Sequence, residues 1–319
     1  MNKPQKYIVT HAPYWHNGSS VSERYYHTMI AALPAVLLGI MQYGIPAVGV
    51  IALSISSAIL WELAINRVAR RSITIGDGNA ALIGLLFAML VPATMPWWAV
   101  LTGTFIAVVV GKQIFGGIGS NAFNPVLLAV AMLSVSWKHL FDFNAALLNY
   151  DLNMDMFYPL AAVKYFGTEA IESFTIADLL LGRQSGGIGA TFGLGLILGG
   201  IYLLIRGFIR WEVSVSFLLG VLGAALIFHL IDPARFAGPV FHLLTGYTLI
   251  GAFFLATEDS SSPINFSPML IYGAIGGVLT VLIRNIGAHV DGVVYAILTI
   301  NLMNPLLDKI RPKALGKVA

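Results

Sequence analysis

The residues best placed to do chemistry are five carboxylates inside or at the ends of long apolar runs: Glu62, Asp77, Glu258, Asp259 and Asp291. A charge in hydrocarbon costs at least a few kcal/mol, so such groups point to ion handling or gating. Glu62 has a structural alternative, a pair with Arg67 or Asn66 at the interface. Two segments combine glycine, amide and hydroxyl residues in a way that breaks a helix: GGIGSNAFNP at 116–125 and TEDSSSP at 257–263. Free backbone groups at such breaks face a ligand or cavity instead of lipid. The same phrases also serve as capped turns, Asn124 before Pro125 being a favourable helix start. GDGN at 76–79 and GGIGAT at 186–191 are two further helix starts. The absence of cysteine excludes disulfides, thiolate-ligated iron–sulfur clusters and cysteine nucleophiles. Any electron carried here travels on an organic or haem cofactor. His229 and His242 are read as polar residues satisfied within a bundle, since no partner histidine stands at a spacing suited to haem. No metal site is expected.

These groups are embedded in an unusual solvent. Of 319 residues, 57% are hydrophobic and only 10% charged, far below the roughly 25% charged residues of a soluble domain. The expected fold is an all-α integral membrane protein with about ten transmembrane helices, near 29–44, 46–66, 78–93, 96–112, 124–136, 191–205, 213–231, 241–257, 267–283 and 291–307. Residues 1–28 then form a cytoplasmic segment, 29–136 a first five-helix half and 137–190 a polar non-cytoplasmic connection. Residues 191–307 form the second half and 308–319 a basic cytoplasmic tail. With both termini inside, Arg67, Arg70, Arg71, Arg206, Arg210, Lys309, Arg311, Lys313 and Lys317 all fall on the cytoplasmic face, as the positive-inside rule requires. Trp97 and Trp98 fall at the outer interface. The net charge of +3 therefore reflects topology, and no basic stripe with interleaved aromatics suggests nucleic acid. Residues 1–27 lack the apolar core of a cleavable signal.

An internal repeat supports the count. LIGLLFAMLVPATMPWWAVLTG (82–103) matches LIGAFFLATEDSSSPINFSPMLIYG (249–273), with Gly103 opposite Gly273 after a short gap. Each half holds five spans, an odd number, so the copies must be inverted, with the functional site where they meet.

The phrases GDGNAALIGLLFAMLVP (76–92), GKQIFGGIGSNAFNP (111–125), GGIYLLIR (199–206), HLLTGYTLIGAFFLATEDSSSP (242–263) and GVLTVLIR (277–284) together resemble one family. It comprises the RnfD subunit of the Rnf ferredoxin:NAD oxidoreductase and the NqrB subunit of the sodium-pumping NADH:quinone reductase. The resemblance runs from about Tyr25 to Asp308 and rests on the order and spacing of all five phrases. It implies a component of an inner-membrane complex, bacterial or archaeal, that couples electron transfer to Na+ or H+ movement. It also implies flavins, riboflavin or FMN. One is noncovalent, at an Asn-x-x-Asn-Pro loop matched here by Asn121, Asn124 and Pro125, where amides can pair with an isoalloxazine edge. Phe115 or Phe123 is a candidate ring wall. Lys112 is a candidate counter-charge to an anionic flavin, or else an interfacial anchor.

The family's second flavin is FMN tethered to the last threonine of a Ser/Thr-Gly-Ala-Thr motif, commonly before Pro-Leu. Here Tyr158 stands in that place, before Pro159-Leu160, and a tyrosine is not the expected acceptor. The one Gly-Ala-Thr, at Gly189-Ala190-Thr191, follows isoleucine and matches a different stretch of the family. Thr191 is thus either an FMN attachment site in a context that departs from the family's motif or only a helix-start residue, and no covalent flavin is expected. The reading that follows is transmembrane electron carriage by bound flavin, within a complex whose other subunits oxidise NADH or ferredoxin. A solute channel or transporter of inverted-repeat fold and a cofactor-free scaffold subunit are the alternatives.

Overall fold

The computed structural model describes residues 20–144, 158–171 and 174–311, and every regular element among them is a helix. Lys313 and Lys317 of the expected tail, and most of the expected N-terminal segment, lie outside the described residues.

The first helix, α1 (Val21–Val68), starts at Ser20, whose hydroxyl accepts from the Glu23 amide 3.1 Å away. It is two arms rather than one rod. Gly44 takes φ of 63° and ψ of −145°, a conformation open to glycine, and Pro46 withdraws a backbone donor two residues on. The arms coincide with the expected spans 29–44 and 46–66. After α2 (Asn79–Leu90), α3 (Trp97–Phe105) runs directly into a wider π-helical stretch, Ile106–Gln113. Helices α4 (Pro125–Ser136), α5 (Pro159–Phe166), α6 (Ile176–Leu180), α7 (Gly193–Ile205) and α8 (Trp211–Ile231) follow. The expected span 241–257 is broken. Its pieces are α9 (Pro239–Leu244) and α10 (Thr248–Ile250), the latter continuing as π-helix over Gly251–Leu255. Helices α11 (Phe266–Asn285) and α12 (Val293–Leu307) complete the chain.

Among the described residues, three helices are long and apolar enough to cross a membrane: Val21–Val68, Trp211–Ile231 and Phe266–Asn285. Helices α2, α4, α7 and α12 are apolar but have 12 to 15 residues. At 1.5 Å per residue they reach about 18–22 Å, less than the ~30 Å of a hydrocarbon core. The π segments lengthen α3 and α10 instead. Helix association needs small residues, because lipid gives apolar faces no reason to leave it. At the α1–α7 contact, a Cβ on Gly199 would stand 2.1 Å from the Ala31 carbonyl oxygen, so no larger side chain fits there.

Hydrogen bonds sort the connections into two ends, named here by the two ends of α2. At the Leu90 end, Ile188 N donates to Val91 O, Gly189 N to Met89 O, and the Tyr247 hydroxyl to Leu90 O. Gln42, beside the Gly44 turn, donates to Gly182 O at the same end. At the Asn79 end lie residues 69–79, the loop 116–125, the turn at Arg206, tied to Glu23, and the loop 257–265, tied through Ile264 N to Asp308. Segment 248–257 therefore starts beside Leu90 and finishes beside Asn79, antiparallel to α2. Residues 184–191, all but the last expected to belong to a polar connection, are buried: they plug the Leu90 end and cap carbonyls that α2 leaves unpaired.

Candidate functional site

At the Asn79 end the two expected breaks meet. Asn124 caps α4, its Oδ1 accepting from Val126 N (3.0 Å) and Leu127 N (3.2 Å), and Pro125 follows at the first helical position. The same side chain reaches across, Nδ2 donating to Leu255 O at 3.0 Å. Asn121 Nδ2 donates to Phe123 O at 3.0 Å and to the Glu258 carboxylate at 3.2 and 3.3 Å. Ser261 N also donates to Glu258, at 3.0 Å. The two asparagines thus stitch one break to the other, and only part of their hydrogen-bonding capacity is left for a ligand. Burial pushes the Glu258 carboxyl above its ordinary value of 4.5, against the opposing pull of Ser261 and Asn121.

Lys112 comes from the π stretch. It is neither an interfacial anchor nor free: Nζ lies 2.9 Å from both Glu62 oxygens, and the two side chains are 2% and 0% exposed. Thr74 donates to Glu62 at 2.8 Å and Asn66 donates in turn to Thr74. The expected Glu62–Arg67 pair does not form, and Asn66 reaches Glu62 only through Thr74, because Lys112 descends from the π stretch after α3 onto the carboxylate. Asp259 ion-pairs with Arg24 of α1. Asp77 sits half-buried in a turn, accepting from Asn79 N at 2.8 Å, and burial raises its carboxyl above the ordinary range.

These parts enclose a narrow crevice of about 70 Å³. Its polar wall is Arg24, Asn79, Lys112, Asn121, Asn124, Glu258 and Asp259, and its ring-bearing wall is Tyr25, Phe253 and Phe254. Phe115 and Phe123 lie outside the lining; Phe115 is 44% exposed. Sequence reasoning looks for an aromatic wall next to the asparagines, whereas the fold supplies it from α1 and the second π stretch. The phrase FFLATED holds the signal, since Phe253 and Phe254 stand five and four residues before Glu258. Nothing local in sequence places Arg24 and Tyr25 here.

Asp291 is at the other end. Its Oδ1 accepts from Arg284 Nη2 at 3.0 Å and from Val293 N, and its Oδ2 from Tyr247 N at 2.7 Å. Arg284 also donates to His242 O and Thr245 O, so this pair fastens the break between α9 and α10. Beside it lies a cavity of about 710 Å³, within the ~300–1,000 Å³ range of small-molecule sites. Phe141, Phe143, Tyr158, Tyr247, His289 and Tyr295 line it. Tyr158 precedes α5, packs on Phe143 with ring centroids 5.1 Å apart, and has its hydroxyl pushed well above the ordinary tyrosine range by burial. Thr191 is 3% exposed, its hydroxyl donating to Gln42 Oε1 at 3.2 Å and its methyl 2.9 Å from where a Cβ on Gly186 would stand. It is absent from the lining of the cavity. His229 pairs with Phe236 O, as expected of a satisfied histidine. His242 does not: both ring nitrogens are buried without a partner.

An apolar helical bundle, with helices broken at both ends and ionisable groups at the breaks, defines a multi-pass membrane protein. Residues 8–316 match the model of the NQR2, RnfD, RnfE family. The chain belongs to that family. It is 34% identical to the D-type subunit of the proton-translocating ferredoxin:NAD(+) oxidoreductase complex of Clostridium ljungdahlii over 315 residues, covering 96% of this chain and 95% of the relative. It is 31% identical to the D-type subunit of the Na(+)-translocating ferredoxin:NAD(+) oxidoreductase complex of Acetobacterium woodii, covering 94% and 92%. The D-type subunit of the ion-translocating oxidoreductase complex of Pectobacterium atrosepticum is 30% identical, with coverage of 97% and 98%.

Proposed function

We propose that this chain is the D-type membrane subunit of an ion-translocating electron-transport complex of the Rnf kind. It is not an enzyme alone: it carries electrons on bound flavin, while neighbouring subunits supply the oxidation of ferredoxin or NADH, and it couples that transfer to Na+ or H+ movement. The observation that carries the reading is family membership over residues 8–316 together with the convergence of both break motifs on one crevice. Relatives of near-equal length are named for both Na+ and H+, so the ion stays open between these two.

The architecture proposed is ten spans in two inverted five-helix halves, 29–136 and 191–307. The antiparallel run of 248–257 against α2 supports it, because inversion requires the two copies to cross in opposite senses. With Arg67, Arg70, Arg71, Arg206, Arg210, Lys309 and Arg311 at the Asn79 end, that end faces the cytoplasm of a bacterial or archaeal cell and both termini are inside.

The noncovalent flavin is assigned to the Asn79 crevice. Asn121 and Asn124 offer amide groups, and Tyr25 and Phe254 offer ring faces. At about 70 Å³ the crevice takes an edge of the tricyclic ring, and admitting the whole ring requires the 116–119 loop to move outward. Gly116, Gly117 and Gly119 all hold positive φ, so this loop has little side-chain packing to lose. The flavin's contribution when bound is reversible one- and two-electron storage; the chain's contribution is to hold the edge and keep Lys112 nearby as a charge. The cavity beside Tyr158 fits a second planar cofactor, held without a tether.

The test is the visible spectrum of the purified complex before and after denaturation, with flavin counted per copy of this chain. Released flavin that falls in an Asn121→Leu variant supports the assignment. A flavin-free chain in an intact, active complex overturns it and leaves a scaffold.

A further inference from the structure

Behind the α9–α10 break lies a small cavity of about 40 Å³ that the function above does not use. His242 forms its floor. The side chain is 1% exposed, and neither ring nitrogen has a partner. The Asn285 amide nitrogen is also buried and unpartnered, and Asn285 lines the same cavity. Three cationic side chains complete the wall: Arg284 (3% exposed), Lys164 and Arg235. No carboxylate lines it.

The charge balance decides what belongs there. Asp291 neutralises Arg284. Lys164 donates to the carbonyls of Gly287 and His289, both at 2.6 Å, which satisfies hydrogen bonds but leaves its charge. Arg235 lies over the Phe236 ring at 5.3 Å and has no acidic partner among the described residues. Lys164, partly buried, and Arg235, exposed, therefore bring two positive charges beside a buried imidazole and a buried amide N–H that lack a partner. Water would satisfy the hydrogen bonds and leave the charges, while a cation would be repelled. One water molecule needs roughly 10–15 Å³ of such space, so the cavity is of the size that holds a small ion or a few waters. The geometry points to a binding site for a single small inorganic anion of the halide class, held by His242 and Asn285 and balanced by Lys164 and Arg235. Because Arg284 links this wall to the carbonyls of His242 and Thr245, the anion braces the break at which α9 gives way to α10.

Bromide tests this directly. Crystals of the complex grown with bromide in place of chloride are expected to show an anomalous scattering peak between the His242 ring and the Asn285 amide. At subsaturating bromide its occupancy falls at least tenfold in Arg235→Gln, a change at an exposed position that leaves the fold intact. Lys164→Met gives the same loss if it assembles, and Arg235→Gln decides alone if it does not. No peak at an ordered His242, meaning water only, overturns the proposal. So does a peak whose occupancy is unchanged in Arg235→Gln.

Discussion

Replacing Lys112 with methionine removes one half of the most deeply buried ion pair in the described structure and leaves the other. Glu62 is then a carboxylate at 0% exposure whose remaining donors are Thr74 at 2.8 Å and Gln113 at 3.4 Å, the second too long to compensate a charge. Breaking a buried pair from one side costs roughly 3–5 kcal/mol, whereas replacing both partners with uncharged residues of similar volume is often neutral or better. The expected ordering is therefore that Lys112→Met and Glu62→Gln each lower stability by about 3–5 kcal/mol, while the double variant lies within about 1 kcal/mol of the native protein. The assay is a double-mutant cycle on thermal unfolding of the detergent-solubilised complex, followed by monodispersity after heating. If the double variant is as unstable as the sum of the singles, the two side chains do not interact energetically and the reasoning fails. The same variants separate fold from function. A stable double variant that transfers electrons but no longer moves ions assigns the pair to coupling, and one that does both makes it purely structural.

The two asparagines should behave differently. Asn124→Leu loses an N-cap, about 0.5–2 kcal/mol, and the link to Leu255, so the yield of assembled complex falls; Asn121→Leu keeps the cap and loses the link to Glu258, so its yield falls less while flavin per assembled complex drops. Gly199→Leu should abolish stable insertion, since even its Cβ would stand 2.1 Å from Ala31 O, while Gly223→Ala, with nothing within 4 Å, is tolerated in the same membrane-yield assay. Glu258 binds its proton more tightly folded than unfolded, so its ionisation costs stability as pH rises from about the ordinary 4.5 through the raised folded value. Glu258→Gln should flatten that part of the pH–stability curve, and an unchanged slope refutes the assignment. In denaturing gels this chain should show no flavin fluorescence, and Thr191→Val should change nothing. A band lost in Thr191→Val would make that buried hydroxyl an attachment site after all.

Part of this architecture is legible in the sequence for a physical reason: a bilayer admits few backbone solutions, so long apolar runs announce an all-helical membrane fold. The Gly44–Pro46 turn and the Asn124 cap follow from local chemistry that the sequence states openly. Part of what stays hidden depends on separations of 50 residues or more. The Glu62–Lys112 pair joins α1 to the π stretch after α3, and a π stretch, which rotates every later side chain out of α-helical phase, leaves no mark in hydrophobic periodicity. For that reason the sequence points Lys112 at a ligand or the interface instead of at Glu62. The break between α9 and α10 escapes a sequence reading because His242 to Thr257 is apolar enough to pass for one span. The polar look of 137–190 conceals the burial of 184–191, whose glycines allow that loop to meet the end of α2 backbone to backbone.

The two ends of the bundle solve one problem with the same device. Each has a helix interrupted in apolar surroundings, and each interruption exposes carbonyls or amides that hydrocarbon cannot satisfy. At the Leu90 end Arg284 donates to His242 O and Thr245 O and is neutralised by Asp291. At the Asn79 end Asn124 and Asn121 do the bridging, and the charges stand one layer behind, as Glu62–Lys112, and at the rim, as Arg24–Asp259. The difference matters for function. A guanidinium pinned to two carbonyls and a carboxylate has no second arrangement that keeps those bonds, so the Leu90 end is braced. An ammonium on a flexible stem, facing both a carboxylate and a crevice, has one: Lys112 can turn from Glu62 toward the crevice if negative charge appears there, and Glu62 then needs a cation in its place. We therefore propose that, among the described residues, the Asn79 end is where a change of charge in a bound cofactor would be linked to the uptake of Na+ or H+.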